Sequence, residues 1–345
     1  MTGTKVVKLK LEDGAGDKLP RLKDDDINVD SVAELFEKLE YTTVDEAESY
    51  YKSVLDATKG LHASPLKLQA LLETIEEKHG GETNPDQVGL FLTALIENSR
   101  HREFVIKPGK HLSYLGYRLS GGKKIVVEGD VVRNTGSEMR GGTVIVEGDA
   151  VDSTGENMVD GKIIVKGEAG ASTGAGMLGG SITVHGDAHH ATGSRMLGGK
   201  IHIKGSVWDH LGDGMKGGSI TVEGKAGNGT GSAMEDGTIT IMKDSGHYTG
   251  YQMKGGNIIV KGDVTYDYLG YGMEGGNIEV GGNAGKCVGN NMKGGRINIG
   301  GNGGDYLGVG MKAGEIIVGG RIEKIYPKSI EGGEIWEAGK KVWPK

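Results

Sequence analysis

Four residues with metal-binding or acid–base side chains fall close together in the second half of the chain. They are His189, His190, Asp209 and His210. Imidazole nitrogens and a carboxylate are zinc ligands, and a repeat of nineteen residues would stack His190 on Asp209. However, no other cluster completes a ligand shell, and His and Asp are common on solvated turns. We therefore predict a weak polar cluster here, with no metal ligand, no cofactor-binding residue and no catalytic residue.

The single cysteine, Cys287, limits redox and metal chemistry. One thiol cannot form an intramolecular disulfide, nor can it supply a multi-cysteine zinc or iron–sulfur site. It shares its position in the repeat described below with Tyr268 and Tyr306, and no His lies nearby. We expect a neutral or buried thiol rather than a nucleophile.

A column of acidic and amide residues follows glycine at equivalent points. It consists of Asp130, Asp149, Glu168, Asp187, Asp244, Asp263, Asn283 and Asn302. A calcium ladder would need a nonapeptide with GGxGxD spacing, which is absent. Asx-type turns at the corners of a repeat are the better interpretation.

Aromatic residues concentrate in one region of the repeat. They are Trp208, Tyr248, Tyr251, Tyr266, Tyr268, Tyr271 and Tyr306. Some of these rings could be buried, but one turn segment cannot bury all of them. We predict that they form a candidate surface for a protein partner.

A methionine repeat organises the elements that carry these residues. Its members are Met139, Met158, Met177, Met196, Met215, Met234, Met253, Met273, Met292 and Met311, spaced 19 residues apart except for one step of 20. Leu119 and Ile330 occupy the same phase at the two ends. Numbering each coil from its methionine, position −3 is always Gly, and most coils have Gly at +2 and +3. Positions +5 and +7 are always Ile or Val, whereas +6 is mixed.

This pattern predicts an α+β chain whose main part is a right-handed parallel β-helix of about twelve 19-residue coils at 109–336. Alternation of β-branched residues indicates one inward face, and coils ~4.8 Å apart would make a rod roughly 50 Å long. Glycine fits the sharp corners, where φ is often positive. An interior filled with Ile, Val and Met leaves no space for an internal small-molecule site.

The remaining parts of the chain divide into three. Residues 28–108 carry four sets of helix start and stop signals and are predicted to form a small all-α module. The predicted helix starts are Asp30 or Ser31, Thr43 with Glu46, and the Pro65 and Pro85 regions. Residues 1–27 are predicted to contain a short strand, at 5–11, and a linker. Residues 337–345 are predicted to be a C-terminal cap.

Composition restricts the partners. The net charge is −7 and no basic stripe occurs, so we predict no nucleic-acid binding. No apolar run reaches 18 residues and the N-terminus lacks a signal-peptide core, so we predict no membrane association and a cytoplasmic location.

The repeated unit G-x-x-M-x-G-G-x-I-x-V-x-G-[DN]-A, as in GAGMLGGSITVHGDA, resembles one known family. It is the GXGXG-motif β-helix shared by the β-helical subunit of formylmethanofuran dehydrogenase and the C-terminal domain of the glutamate synthase large subunit. The motif G-x-x-G-x-x-x-G recurs, for example at Gly167, Gly170 and Gly174. The resemblance spans residues 115–336 and implies a structural and docking element, with the catalysis performed by other domains or subunits.

Three functions follow as hypotheses. The first is a non-catalytic scaffold subunit of such an oxidoreductase complex, bound to other protein subunits and carrying no cofactor. The second is a stand-alone rod for protein interaction or self-association, with the helical module as a cap or a dimerisation element. The third is a β-helix enzyme, either an acyltransferase or a polysaccharide-acting protein, although the six-residue subperiod of hexapeptide acyltransferases is missing.

Overall fold

The computed structural model describes residues 28–41, 46–79, 83–109, 112–264 and 266–344. The strand predicted at 5–11, the linker after it and Thr43 of the predicted capping box lie outside these residues. Within them the chain is a parallel β-solenoid of about twelve turns preceded by four helices, which confirms the predicted fold class.

The four helices begin and end close to their sequence signals. They are α1 (Val29–Lys38), α2 (Ala47–Ala57), α3 (Pro65–His79) and α4 (Pro85–Asn98). The cap of α1 is Asn28, two or three residues before the predicted Asp30 or Ser31, because the Asn28 side chain accepts from the Asp30 and Ser31 amides. Asn84 caps α4 in the same way, whereas Glu46 makes no side-chain cap bond. None of these helices is long and apolar enough to cross a membrane.

One long sheet runs the length of the solenoid. Its strands are β1 (Glu103–Ile106), β2 (Lys124–Val127), β4 (Arg140–Val146), β6 (Asp160–Val165), β7 (Ser181–Val184), β8 (Lys200–Ile203), β9 (Lys216–Val222), β10 (Asp236–Ile241), β11 (Asn257–Val260), β12 (Asn277–Val280), β13 (Arg296–Ile299), β14 (Glu315–Val318), β15 (Glu334–Glu337) and β16 (Lys340–Trp343). All neighbours are parallel except β15 and β16. A second, two-stranded sheet pairs β3 (Val131–Arg133) with β5 (Ala150–Asp152).

Identical positions of successive coils lie next to each other. Ile163 pairs with Ile182, and Val165 pairs with Val184, nineteen residues apart in both cases. The inward columns at +5 and +7 and every methionine of the repeat are buried, as are Leu119 and Ile330. The predicted phase is therefore confirmed at both ends.

Glycine at +3 lets each coil lie directly on the methionine of the coil before it. A Cβ on Gly199 would lie 2.7 Å from Met177 Cε and 2.9 Å from the backbone of Gly179. The backbone of Gly199 is also left-handed, with φ of +84°. The close approach leaves no room for a side chain here, and the left-handed backbone disfavours one.

Glycine at −3 has a different neighbour. A Cβ on Gly155 would lie 2.5 Å from Cδ1 of Ile182, which belongs to the next coil. The isoleucine column therefore fills the space that this glycine leaves open, and the two columns depend on each other's size.

The acidic and amide column has another role than the predicted Asx turns. Asp130 Oδ1 accepts from the amide of Asp149 at 2.8 Å, and Asp149 Oδ1 accepts from Glu168 at 2.7 Å. Each oxygen thus bonds to the next coil, not to its own turn. Every other member of the column except Glu168 bonds the next coil in the same way, so the column is a side-chain ladder that holds coils together.

Helices α3 and α4 close the N-terminal end of the solenoid. The Gln69 side chain both donates to the carbonyl and accepts from the amide of Lys107, just beyond the edge strand β1. Buried Asp86 of α4 forms a two-bond ion pair with Arg133 of β3, at 3.2 and 2.7 Å. These contacts satisfy polar groups that an open edge would expose. Strand β1 belongs to the sheet although it precedes residue 109.

The C-terminal end is closed by the reversal of the chain into β16. The carboxylate of Glu337 also accepts from the amide of Ile322 at 2.7 Å. Lys340 and Lys341 lie on the outer strand, and a charged edge discourages pairing with another chain.

The crowding at +3 can be separated from the strain of its left-handed backbone. Gly122 occupies the same position of the first coil, with φ of +68° and no atom within 4 Å of a Cβ. We expect Gly122→Ala to cost about 1 kcal/mol from backbone strain alone. Gly199→Ala should cost about 3 kcal/mol more because it also overpacks the core. Equal shifts of the urea unfolding midpoint would show that crowding does not limit this position.

The ion pair between α4 and β3 gives a second prediction. Arg133→Met leaves the Asp86 carboxylate buried without its cation and should lower the unfolding free energy by about 2 kcal/mol. Arg195→Met, at an exposed position, is the matched control and should have little effect. An Arg133→Met chain as stable as this control would contradict the proposed closure of the N-terminal end.

Candidate docking surface

The predicted aromatic surface lies on the turn segment before each methionine, at positions −7 to −2. At −5 the backbone is left-handed even without glycine, with φ of 58° at Tyr248, 71° at Tyr268 and 59° at Tyr306. Bulky residues rarely adopt this conformation, which costs roughly 1 kcal/mol or more at each site. The turn is imposed by the coils on either side. Tyr248 and Tyr306 are 43% and 46% exposed, so their rings are available to a partner.

Tyrosines of neighbouring coils stack on one another. Tyr248 and Tyr268 are almost parallel, with centroids 5.1 Å apart and planes at 3°, and Tyr251 stacks on Tyr271 at 5.7 Å. Edge contacts join the two stacks. Because each stack covers only the inner faces of its two rings, a partner would meet a rigid surface of ring edges and outer ring faces.

A further stack, which the sequence pattern did not predict, lies at the C-terminal end of this surface. Tyr326 stacks on Tyr306 with centroids 4.8 Å apart, and the ammonium of Lys324 lies 4.6 Å from the Tyr326 ring centre. Tyr326 follows Tyr306 by 20 residues, close to the period of the repeat, and this spacing was the signal in the sequence that could have identified the stack. An apolar groove of about 550 Å³ opens beside it, lined by Tyr306, Val309, Ile325, Tyr326, Pro327, Lys328 and Ser329. We call the tyrosines 248, 251, 268, 271, 306 and 326 the tyrosine wall.

Trp208 forms a separate patch with the histidines of the predicted polar cluster. The ring of His189 stacks on Trp208 at 4.3 Å, and His190 contacts its edge at 5.2 Å. Among the described residues no ring contact joins Trp208 to the tyrosine wall, and Gly229 occupies position −5 of the coil between them. Tyr266 lies against His247, 4.6 Å between ring centres, and is 54% exposed.

Of the other two members of the polar cluster, Asp209 has a structural role. Asp209 Oδ1 accepts from the amide of Asn228 in the next coil at 2.7 Å. His210 occupies the left-handed position −5, with φ of 64°. The described residues contain no group of three or more His, Cys, Asp or Glu side chains arranged to hold a metal ion.

Cys287 interrupts the tyrosine wall between Tyr268 and Tyr306. Its partial burial and then the negative charge of Asp267 raise the pKa of the thiol above its ordinary value. At neutral pH the sulfur is therefore protonated, as expected from the absence of a neighbouring histidine in the repeat.

The fold and surface define the protein as a parallel β-solenoid with a filled core, closed ends and aromatic patches along its length. No protein-family profile and no curated protein matches the chain. Among solved structures, it is similar to a chain of the formyltransferase/hydrolase complex from Methylorubrum extorquens, determined in complex with methylofuran. The two share 35% sequence identity with a TM-score of 0.39. The match covers 44% of this chain and 59% of that one, less than two thirds of its length.

The state of Cys287 is testable by alkylation. We expect the rate of reaction with iodoacetamide to rise with a midpoint pH above the ordinary cysteine value, because burial and Asp267 disfavour the thiolate. Asp267→Asn should lower that midpoint while its amide oxygen still accepts from Lys286. Asp209→Asn, at the same position of an earlier coil, is the control. A midpoint at or below the ordinary value in the wild type would contradict this interpretation, and a midpoint below it would identify an activated nucleophile.

Proposed function

We propose that the chain is a non-catalytic structural and docking subunit of a redox complex of the formylmethanofuran dehydrogenase or glutamate synthase type, located in the cytoplasm. The observation that carries the proposal is which parts of the molecular surface are open to a partner. The core is filled and each end is covered by the chain itself. The lateral faces are therefore what a partner meets, and one of them displays the tyrosine wall. The type of complex is inferred from the resemblance of the 19-residue repeat to the β-helix of these two enzymes.

The polar residues support docking better than catalysis. His189 stacks on Trp208, and Asp209 bonds the next coil, so both side chains have structural partners. The tyrosine wall combines rigid aromatic edges with an apolar groove, and such surfaces are enriched in protein interfaces. The partners we propose are therefore protein subunits rather than nucleic acid or membrane.

A stand-alone, self-assembling rod is the second candidate, and the closed ends argue against it. Growth of a solenoid requires an open edge at each end. Here Gln69 occupies polar groups beside β1, and Glu337 occupies the amide of Ile322. The closed ends do not prevent association of two chains through their lateral faces.

Purification of the tagged chain from its native cells tests the docking role. We expect larger redox subunits to be recovered with the wild-type chain. The double variant Tyr248→Ser/Tyr268→Ser should reduce their recovery at least tenfold, because it removes one stack of the tyrosine wall. Serine is compatible with the turn, since Ser153 and Ser172 occupy position −5 of other coils with φ of 54° and 60°.

Glu279→Ala, on the exposed side of β12, is the matched control and should leave recovery unchanged. Recovery of the wild-type chain alone would contradict the proposed complex. Full recovery with the double variant would show that the partner subunits do not dock on the tyrosine wall.

A further inference from the structure

Position −6, just before the left-handed turn residue at −5, links coils through a second side-chain ladder. Asp209 Oδ1 accepts from the amide of Asn228, and Asn228 Oδ1 accepts from the amide of His247 at 3.0 Å. Nδ1 of His247 accepts from the amide of Asp267 at 3.2 Å, and Asp267 Oδ1 accepts from the amide of Lys286 at 3.1 Å. Four consecutive bonds therefore join five coils, and one of the four acceptors is a histidine ring.

The histidine acceptor differs from the others in its response to a proton. An amide oxygen does not titrate in this way, and a carboxyl group keeps acceptor capacity even when it is protonated. Because Nδ1 of His247 accepts from a backbone amide, its ring proton is on Nε2. An imidazolium carries N–H at both nitrogens, so a second donor would then face the amide of Asp267. The proton that histidine takes up between about pH 8 and pH 5 therefore breaks this link.

The aromatic neighbours of His247 do not oppose its protonated form. The ring centre of Tyr266 lies 4.6 Å from that of His247, and the ring centre of Tyr248 lies 6.3 Å away. An aromatic face attracts a cation rather than repelling it. The charged ring is thus tolerated at this place, and the proton acts on the bond to the next coil.

The charged neighbours have other partners. Asp244, three residues before His247, pairs with Lys225 at 3.0 Å. The carboxylate of Asp267 bonds to the following coil, away from His247. Within the described part of the chain, carboxylates form ion pairs with the rings of other histidines but not with that of His247. No ion pair therefore compensates for the lost bond.

The broken link lies at the base of the tyrosine wall. The peptide of Asp267 is held by two residues of the preceding coil, since its amide donates to His247 and its carbonyl accepts from the amide of Tyr248 at 3.2 Å. Tyr268 follows directly, and its ring stacks on that of Tyr248. Release of the Asp267 amide therefore frees the backbone that carries one ring of this stack.

We propose that protonation of His247 opens the link between its coil and the next, loosens the stack of Tyr248 and Tyr268, and thereby weakens docking of partner subunits as the pH falls. The opening of the link is a property of the chain itself, whereas its effect on docking rests on the proposed function. The order of the tyrosine wall then depends on the pH.

Amide hydrogen exchange of the full chain tests the link. Mass spectrometry follows the segment that contains Asp267 at about pH 7.5 and at about pH 5.5, on the two sides of the histidine range. After correction for the intrinsic pH dependence of exchange, we expect the protection of the Asp267 amide to fall about fivefold at the lower pH, the effect of losing one ordinary hydrogen bond.

Two variants assign the effect to His247. His247→Asn supplies an acceptor that does not titrate, since Asn228 makes the same bond one coil earlier. This variant should be equally protected at both pH values. His190→Asn is the matched control, because it removes a histidine from the same position of a coil where the ring contacts Trp208 instead. It should show the same fall as the wild type.

Recovery of partner subunits with the tagged chain is then compared at the two pH values. We expect at least about twofold lower recovery at the lower pH with the wild type and no loss with His247→Asn. Equal protection of the wild type at both pH values would overturn the proposal, as would an equal fall in His247→Asn or a recovery that does not depend on pH. If no subunit is recovered at either pH while exchange behaves as expected, the proposed function fails and the pH-dependent link is supported.

Discussion

The close spacing of successive coils is the constraint on which the rest of the structure depends. Parallel strands must approach within hydrogen-bonding distance at every turn, and the corners must do the same. At +3 the approach leaves 2.7 Å between a Cβ on Gly199 and the methyl carbon of Met177, so no side chain fits. Glycine, methionine and isoleucine therefore form one packing unit that repeats along the rod. Each coil is stabilised chiefly by its two neighbours.

The fold was predictable because this constraint requires the same residue types at equivalent positions, so they recur in the sequence at a fixed period. The inward columns, the buried methionines and the phase of Leu119 and Ile330 could all be read from spacing alone. The direction of the side-chain ladder could not. A turn and a ladder both place Asp after Gly, and only the structure distinguishes an oxygen that bonds its own turn from one that bonds Asp149 in the next coil. Asn28 was missed because Asp30 and Ser31 are equally good caps by residue type.

The surface was less predictable than the core. Its residues were found by composition, but their grouping depends on distances that a repeat does not encode. Trp208 stacks on His189, and the tyrosines form a wall of their own that extends to Tyr326. The contacts that close the N-terminal end join residues 38 and 47 positions apart, outside the repeat. Sequence periodicity carries no information about such pairs.

The buried methionine column also has a chemical consequence. Oxidation of a thioether to the sulfoxide adds a polar oxygen, and the ten sulfurs of the repeat are shielded from solvent while the coils are closed. An oxidant would reach them only when neighbouring coils separate. A sulfoxide formed at that moment would not fit back beneath the glycine of the next coil. A transient opening would thereby become permanent, so the lifetime of this rod under oxidative stress depends on how often its coils part.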